Sequence, residues 1–172
     1  RHDRGFGLLE YLIALAVISP LAYAGTLTAS SIVRGTQRST DQMVALRQVQ
    51  NMGYWMSRDL LTAQNMLPGD DSETPQLDLV AFVWTDWENA ETHHVHYYYE
   101  DMGDNLNRVK RHVVVVNDAQ VTISDRTTSV AENILDPVSL TQSGNLWKLV
   151  VQARSRNRME TREYNVLPRP NA

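Results

Sequence analysis

The sequence contains no cysteine, and this absence excludes several classes of chemistry. Without a thiol the chain has no disulfide scaffold, no cysteine nucleophile, no cysteine-ligated zinc and no iron–sulfur cluster. Catalytic fingerprints are missing as well, because the 172 residues contain no P-loop, no dinucleotide-binding glycine motif, no HExxH pair and no Gly-x-Ser-x-Gly elbow. We therefore predict that the chain is not an enzyme and needs no cofactor.

Charge is scarce near the N-terminus, where residues 5–33 hold one charged side chain, Glu10, although 21% of the whole chain is charged. Residues 6–24 are apolar, and a helix of about 19 residues just crosses a hydrocarbon core of about 30 Å. Arg1 and Arg4 precede this run and no further base occurs before Arg34. The positive-inside rule then predicts a cytoplasmic N-terminus and an external remainder. A secretory signal peptide is the alternative, but the length of the run, its weak cleavage pattern and its internal carboxylate argue against it.

Glu10 is the feature of this run that calls for a function. A carboxylate at membrane depth costs at least about 2.5–3.5 kcal/mol, so it needs a cationic partner. The apolar run contains no cation. The partner is therefore predicted to come from another chain, for which the α-amino group of a neighbouring subunit is suited.

The segment from Arg4 to Glu10, Arg-Gly-Phe-Gly-Leu-Leu-Glu, followed by YLIALAVI, resembles the class III leader of type IV pilins and type II secretion pseudopilins. The resemblance implies cleavage between Gly5 and Phe6 by a prepilin peptidase and N-methylation of Phe6. It also implies that Glu10 pairs with the amine of an adjacent subunit during assembly. Many pilins carry a C-terminal disulfide, and this chain, without cysteine, would rely on packing and subunit contacts.

An amphipathic helix is predicted to continue beyond the apolar run. Apolar residues spaced by three or four positions form one stripe that should face a sheet, and Pro68-Gly69 should end the helix. The helix from Phe6 to Leu67 would be about 62 residues and roughly 90 Å long. Pro20 is expected to kink or locally unwind it between Ser19 and Gly25. The stripe comprises Ala45, Val49, Met52, Met56, Leu60, Ala63 and Leu67.

From residue 76 the pattern becomes that of strands, and turn residues separate six or seven of them. The predicted fold is α+β, a pilin-like long N-terminal helix packed on an antiparallel sheet. Its segments are a cleaved leader (1–5), a transmembrane and filament-core helix (6–30), an amphipathic helix (31–67) and a β domain (68–172). The clearest hairpin is centred on Ser143-Gly144-Asn145.

Side-chain clusters in the β domain give weaker signals. His93, His94 and His96 are expected to form a solvated face rather than a metal site. The loop 101–107 has the oxygen ligands for Ca²⁺, although a simple turn explains it equally well. Basic residues 154–162 near Trp147 are the one candidate nucleic-acid surface, which the acidic balance of the chain disfavours.

The β domain also separates its charges. Residues 70–104 contain ten acids and no Lys or Arg, whereas residues 146–172 are mainly basic. Two explanations are open: these segments are neighbouring strands that neutralise each other, or they mediate head-to-tail contact between copies. In the helix, Arg58-Asp59 resembles a segment of J-type minor pseudopilins, and on physical grounds alone it would be a surface ion pair.

We expect a structural subunit of a type IV pilus-like filament, a helical homo-oligomer. It would enter the cytoplasmic membrane as a precursor, meet the prepilin peptidase and the inner-membrane assembly machinery, and end in a filament at the cell surface. Two alternatives are a minor (J-type) pseudopilin of a secretion or competence pseudopilus and a membrane-anchored binding module that does not polymerise.

Overall fold

In the computed structural model the chain forms one long helix followed by an antiparallel sheet of eight strands, which confirms the predicted α+β class. The structure describes residues 7–69 and 78–168. The predicted leader, with Gly5, and the proposed new N-terminus at Phe6 lie outside the described residues. The chain divides into two compact units, residues 1–40 and residues 41–172.

The strands follow the helix in an order that is almost sequential across the sheet. The order is β1-β2-β3-β4-β5-β7-β6, and β8 pairs with β7. The hairpin predicted around Ser143-Gly144-Asn145 is the β6–β7 hairpin, in which Gln142 pairs with Trp147. The elements are α1 (Leu8–Thr62), β1 (Asn65–Pro68), β2 (Asp78–Asp86), β3 (Glu91–Gly103), β4 (Leu106–Asn117), β5 (Thr122–Leu135), β6 (Ser139–Ser143), β7 (Leu146–Ser155) and β8 (Arg158–Val166).

The helix ends five residues earlier than predicted, and its expected last turn is the edge strand β1. Met66 lies opposite Phe82, and the amide of Gln64 donates to the carbonyl of Val83 at 3.0 Å. Ala63 and Leu67 continue the helical spacing only by coincidence, because β2 offers this segment backbone partners that a further helical turn cannot supply. Pro68 is tolerated there since an edge strand has one side without a partner.

The core of the second unit lies between α1 and one face of the sheet. The stripe from Ala45 to Leu60 is buried as predicted, whereas Leu67 is half exposed. Met52 and Met56 fill the core, whereas Met43 is exposed. The sheet contributes chiefly Val80, Phe82, Val95, Tyr97, Val109, Ile134, Leu149 and Val151.

Gly53 brings β8 close to the helix. A Cβ atom at this position would lie 2.1 Å from the ring of Tyr164, so only glycine leaves room for that ring. The Tyr164 hydroxyl donates to the carbonyl of Val49 at 3.0 Å, one turn earlier in the helix. Gly53 costs the helix about 1 kcal/mol relative to alanine, and this packing explains why it occurs there.

The sheet order rules out one explanation of the charge separation. Strands β4 and β5 lie between the acidic β2–β3 pair and the basic β7–β8 pair, so the two are not neighbours. Glu100 is neutralised instead by β4, through Arg108 at 2.8 Å and Lys110 at 3.5 Å. These bonds lower the pKa of Glu100 below its usual value.

Candidate functional site

The first unit presents an apolar helical surface that this chain does not cover. From Leu8 to Thr40 every described side chain is exposed. Among the described residues α1 is the one helix long and apolar enough to cross a membrane, and its most apolar stretch has no buried residue. Leucine, isoleucine and valine side chains are exposed along this whole length. Only a membrane or the helices of other chains would shield such a surface from water.

Glu10 lies in the first turn of α1, on this exposed surface. Its Oε2 accepts a hydrogen bond from the backbone amide of Gly7 at 3.0 Å. A carboxylate in this place caps free amide groups and complements the positive end of the helix dipole. One amide bond does not replace the hydration of a full charge, so Glu10 retains capacity for a stronger cationic partner.

The serine and threonine hydroxyl groups of residues 8–30 are satisfied within the helix itself. Ser19 donates to the Leu15 carbonyl at 2.6 Å, and Thr28 donates to the Ala24 carbonyl at 2.9 Å. Such bonds to the preceding turn remove the need for water around a hydroxyl. The helix is therefore able to enter an apolar environment with little polar cost along this stretch. The same bond is made by Thr26, Ser30, Thr36 and Thr40.

Pro20 lies within α1, and the helix is continuous through it. Of the two expectations for Ser19 to Gly25, local unwinding is therefore wrong, and a kink at Pro20 stays a prediction. A proline removes one helical hydrogen bond, so one carbonyl in the preceding turn has no helical partner. The turns before and after it keep their hydrogen bonds, and the helix continues.

A buried ion pair fixes the helix to the sheet in the second unit. Asp59 is buried on α1, and its two carboxylate oxygens accept bonds from Arg111 on β4, at 2.7 Å from Nε and 2.8 Å from Nη2. The hydroxyl of Tyr97 on β3 donates to the same carboxylate. Bidentate geometry and a third donor satisfy the carboxylate without water. We call Asp59, Arg111 and Tyr97 the anchor cluster.

Trp55 covers the anchor cluster from the helix side. The guanidinium carbon of Arg111 lies 5.1 Å from the centre of its ring, and that of Arg58 lies 5.6 Å away. Burial lowers the pKa of Arg111. The hydrogen bonds that Arg111 donates to Asp59, and the negative charge of Asp59, more than offset this effect, so the pKa of Arg111 is above its usual value. Burial and the charge of Asp59 raise the pKa of Tyr97 far above its usual range. The arginine stays charged and the phenol stays a neutral donor.

This role of Asp59 differs from the surface ion pair that the sequence predicts for Arg58-Asp59. Arg58 is exposed, and Asp59 pairs with a strand more than 50 residues later. One signal was present: position 59 follows Met52 by seven residues and Met56 by three, which places it on the buried stripe. A carboxylate on such a stripe requires a buried cation.

The three histidines do not share one solvated face. The ring of His93 stacks on Trp84 at 5.1 Å, whereas His96 is buried with its ring 6.0 Å from that of His112. The solvated interpretation is therefore wrong for His96. Within the described part of the chain no group of three or more His, Asp or Glu side chains is arranged to hold a metal ion.

The loop considered for Ca²⁺ is organised by its own turn. The amide of Gly103 donates to Asp101 at 2.7 Å, and the carbonyl of Asp104 accepts a bond from Arg154 at 2.8 Å. One oxygen that a cation would use is thus already bonded to a guanidinium.

The candidate nucleic-acid surface is divided by the β7–β8 hairpin. Trp147 lies opposite Val166 at one end, and Ser155 lies opposite Arg158 at the other. At about 3.3 Å per residue Arg154, Arg156 and Arg158 are more than 20 Å from Trp147 along the strand, and Arg162, opposite Val151, is about 13 Å from it. Base stacking and phosphate contacts would need them together.

Comparison with protein-family models, with curated protein sequences and with solved structures finds no match for this chain. The architecture itself, one long apolar N-terminal helix packed on an antiparallel sheet, is compatible with a pilin-like fold.

Proposed function

We propose that this chain is a structural subunit of an extracellular filament of the type IV pilus kind, held together by the apolar half of α1. The observation that carries the proposal is the exposure of every described side chain from Leu8 to Thr40, in a helix whose single acid in that stretch is Glu10. In the membrane this surface contacts lipid. In the filament it contacts the same surface of neighbouring subunits.

Glu10 gives the assembly its register. Moved out of water with only the Gly7 amide as a partner, its charge is unfavourable by several kcal/mol. A neighbouring chain cleaved before Phe6 offers a free amine, and pairing with it removes that penalty in one axial position only. Helices that slide past this position leave the carboxylate unpaired, so the charge selects one arrangement among many similar apolar contacts.

Processing and location follow from the same segment. Gly5 and Phe6 form the site for a prepilin peptidase in the cytoplasmic membrane, and the inner-membrane assembly machinery then transfers the helix from lipid into the filament at the cell surface. The internally bonded hydroxyls of Ser19 and Thr28 suit both apolar surroundings.

Glu10→Ala tests the proposal in the organism that makes the chain. We expect normal cleavage, measured as the mass of the mature N-terminal peptide, and a loss of sheared surface filaments of at least tenfold. Glu88→Ala removes an exposed acid from the second unit and is the matched control. Normal filaments from Glu10→Ala would refute the role of this carboxylate.

The amount of the chain in sheared filaments separates the proposal from its alternatives. A principal subunit makes up most of the filament mass, whereas a minor pseudopilin occurs in trace amounts. A chain that is cleaved but stays wholly in the membrane fraction would support the non-polymerising binding module and contradict the proposal.

A further inference from the structure

A groove of about 620 Å³ opens where α1 stops covering the sheet. The inward-facing row of β7 runs through Trp147, Leu149 and Val151, and the last two are buried in the core. Helix α1 ends at Thr62, so Trp147, at the start of this row, is only half buried. The residues that line the groove include Leu60, Gln64, Asn65, Gln142, Asn145 and Trp147.

The described residues that line this groove include four side-chain amides and no charged side chain. Two of the amides are held in place: Gln64 accepts from the amide of Thr85 at 3.2 Å, and Gln142 donates to the carbonyl of Gly144 at 3.0 Å. Asn145 is exposed, and its side chain makes no hydrogen bond to another described residue. Its free amide offers donors and an acceptor to a ligand. The side chain of Asn65 faces the other side of the sheet, because its neighbour Met66 pairs with the buried Phe82.

Trp147 supplies the apolar part of the site. Gln142 is its cross-strand partner, so the indole and this amide lie side by side on one face of the hairpin. A flat aromatic surface next to fixed amides matches a sugar ring, which has an apolar C–H face and a rim of hydroxyl groups. A charged ligand would lose its hydration here without gaining a counter-ion.

We propose that this groove binds a neutral oligosaccharide, with a sugar ring stacked on Trp147 and hydroxyl groups bonded to Gln142 and Asn145. An extended peptide is disfavoured at the edge strand β1 of this groove, because β1 is four residues long and ends in Pro68, which has no amide proton for pairing. This binding does not depend on filament assembly.

The test uses the full chain in micelles of a dimethylamine oxide detergent, since a glucoside or maltoside detergent would itself present a sugar. Cellohexaose, maltohexaose and chitohexaose are titrated by calorimetry, with hexagalacturonate as the charged probe and a neutral Gly-Ser decapeptide as the peptide probe. We expect at least one neutral hexasaccharide to bind with a Kd of about 1 mM or lower and the two control probes to bind at least tenfold more weakly.

Two pairs of variants locate the binding. Trp147→Ala and Asn145→Ala are expected to weaken it about tenfold or more, whereas Trp87→Ala and Asn157→Ala, which remove exposed side chains of the same types elsewhere, leave it unchanged. Asn145 is a surface turn residue, so its variant stays informative if Trp147→Ala fails to fold. The proposal is overturned if no neutral hexasaccharide binds at 10 mM (about 3 kcal/mol), if the peptide binds best, or if the control variants weaken binding as much as the groove variants.

Discussion

The two halves of α1 share one continuous backbone but differ in what stabilises them. Residues 41–62 lie on a sheet, and their stripe of apolar side chains is buried together with Asp59. Residues 8–40 have no buried side chain, although they are the more apolar half. Hydrophobicity alone therefore does not show where a helix packs in its own chain. The pattern does: an amphipathic stripe marks the half with a folded partner, and a long apolar run without a polar face, as in residues 11–24, marks the half whose partner is lipid or another subunit.

Asp59→Ala is expected to have the largest effect on the second half. It leaves Arg111 charged in a largely buried position and removes the acceptor of Tyr97, and such a loss lowers the free energy of unfolding by about 3–5 kcal/mol. Urea unfolding followed by tryptophan fluorescence measures the change. Because Trp55 covers the anchor cluster, its emission also reports on the site.

Arg58→Ala is the matched control for this variant, since Arg58 is the exposed neighbour of Asp59 and also lies against Trp55. Its effect should be about 1 kcal/mol or less. The double variant Asp59→Ala with Arg111→Met should recover part of the loss, because it removes the uncompensated charge. Equal effects of Asp59→Ala and Arg58→Ala would restore the surface ion pair predicted from the sequence.

A leucine in each half provides the second test of the comparison. Leu60 is 3% exposed and Leu15 is 57% exposed. Leu60→Ala creates a cavity under the sheet and should lower the free energy of unfolding by about 2–5 kcal/mol. Leu15→Ala should change it by less than about 0.5 kcal/mol.

Filament yield should respond in the opposite way to Leu15→Ala. If the first half forms the filament core, this variant reduces sheared filaments while the sheet stays folded. A large loss of stability from Leu15→Ala, with filaments unaffected, would contradict the division of the helix into two halves.

The sequence predicted the features that depend on neighbouring residues and missed those that depend on distant partners. The stripe from Ala45 to Leu60 and the β6–β7 hairpin were found because helical spacing and turn residues are local signals. The edge strand β1 was missed because its pairing partners, Val80 to Val83, lie 12 to 18 residues later in the chain. The anchor cluster was missed for the same reason, since Asp59 and Arg111 are 52 residues apart in the sequence and meet only in the folded chain.

Alkaline titration is expected to destabilise the second half. Burial raises the pKa of Tyr99 to about 12, and the pKa of Tyr97 is raised in the same direction. An unfolded tyrosine loses its proton near pH 10. Between pH 10 and 12 the unfolded state therefore binds fewer protons than the folded state, and stability falls as pH rises, by on the order of 2 kcal/mol for each of the two phenols.

Tyr99→Phe sharpens this test. It removes the acceptor of the Val138 amide and should lower stability by about 1 kcal/mol at pH 7. It should also make the fall of the melting temperature between pH 10 and 12 shallower. Tyr54→Phe, which alters an exposed ring, is the control. Superimposable alkaline profiles for the wild-type chain and Tyr99→Phe would show that this phenol does not cause the decline.

The smallest effect is expected from Thr28→Val in the first half. The Thr28 hydroxyl is bonded to the Ala24 carbonyl, so it makes no demand on its surroundings, and valine has nearly the same shape. Stability and filament yield should both stay within experimental error of the wild-type chain, about 0.5 kcal/mol for stability. A strong loss of filaments would mean that the hydroxyl leaves its own helix to bond a neighbouring subunit. The first half would then recognise its partner by polar contacts besides Glu10, and apolar contact alone would no longer describe it.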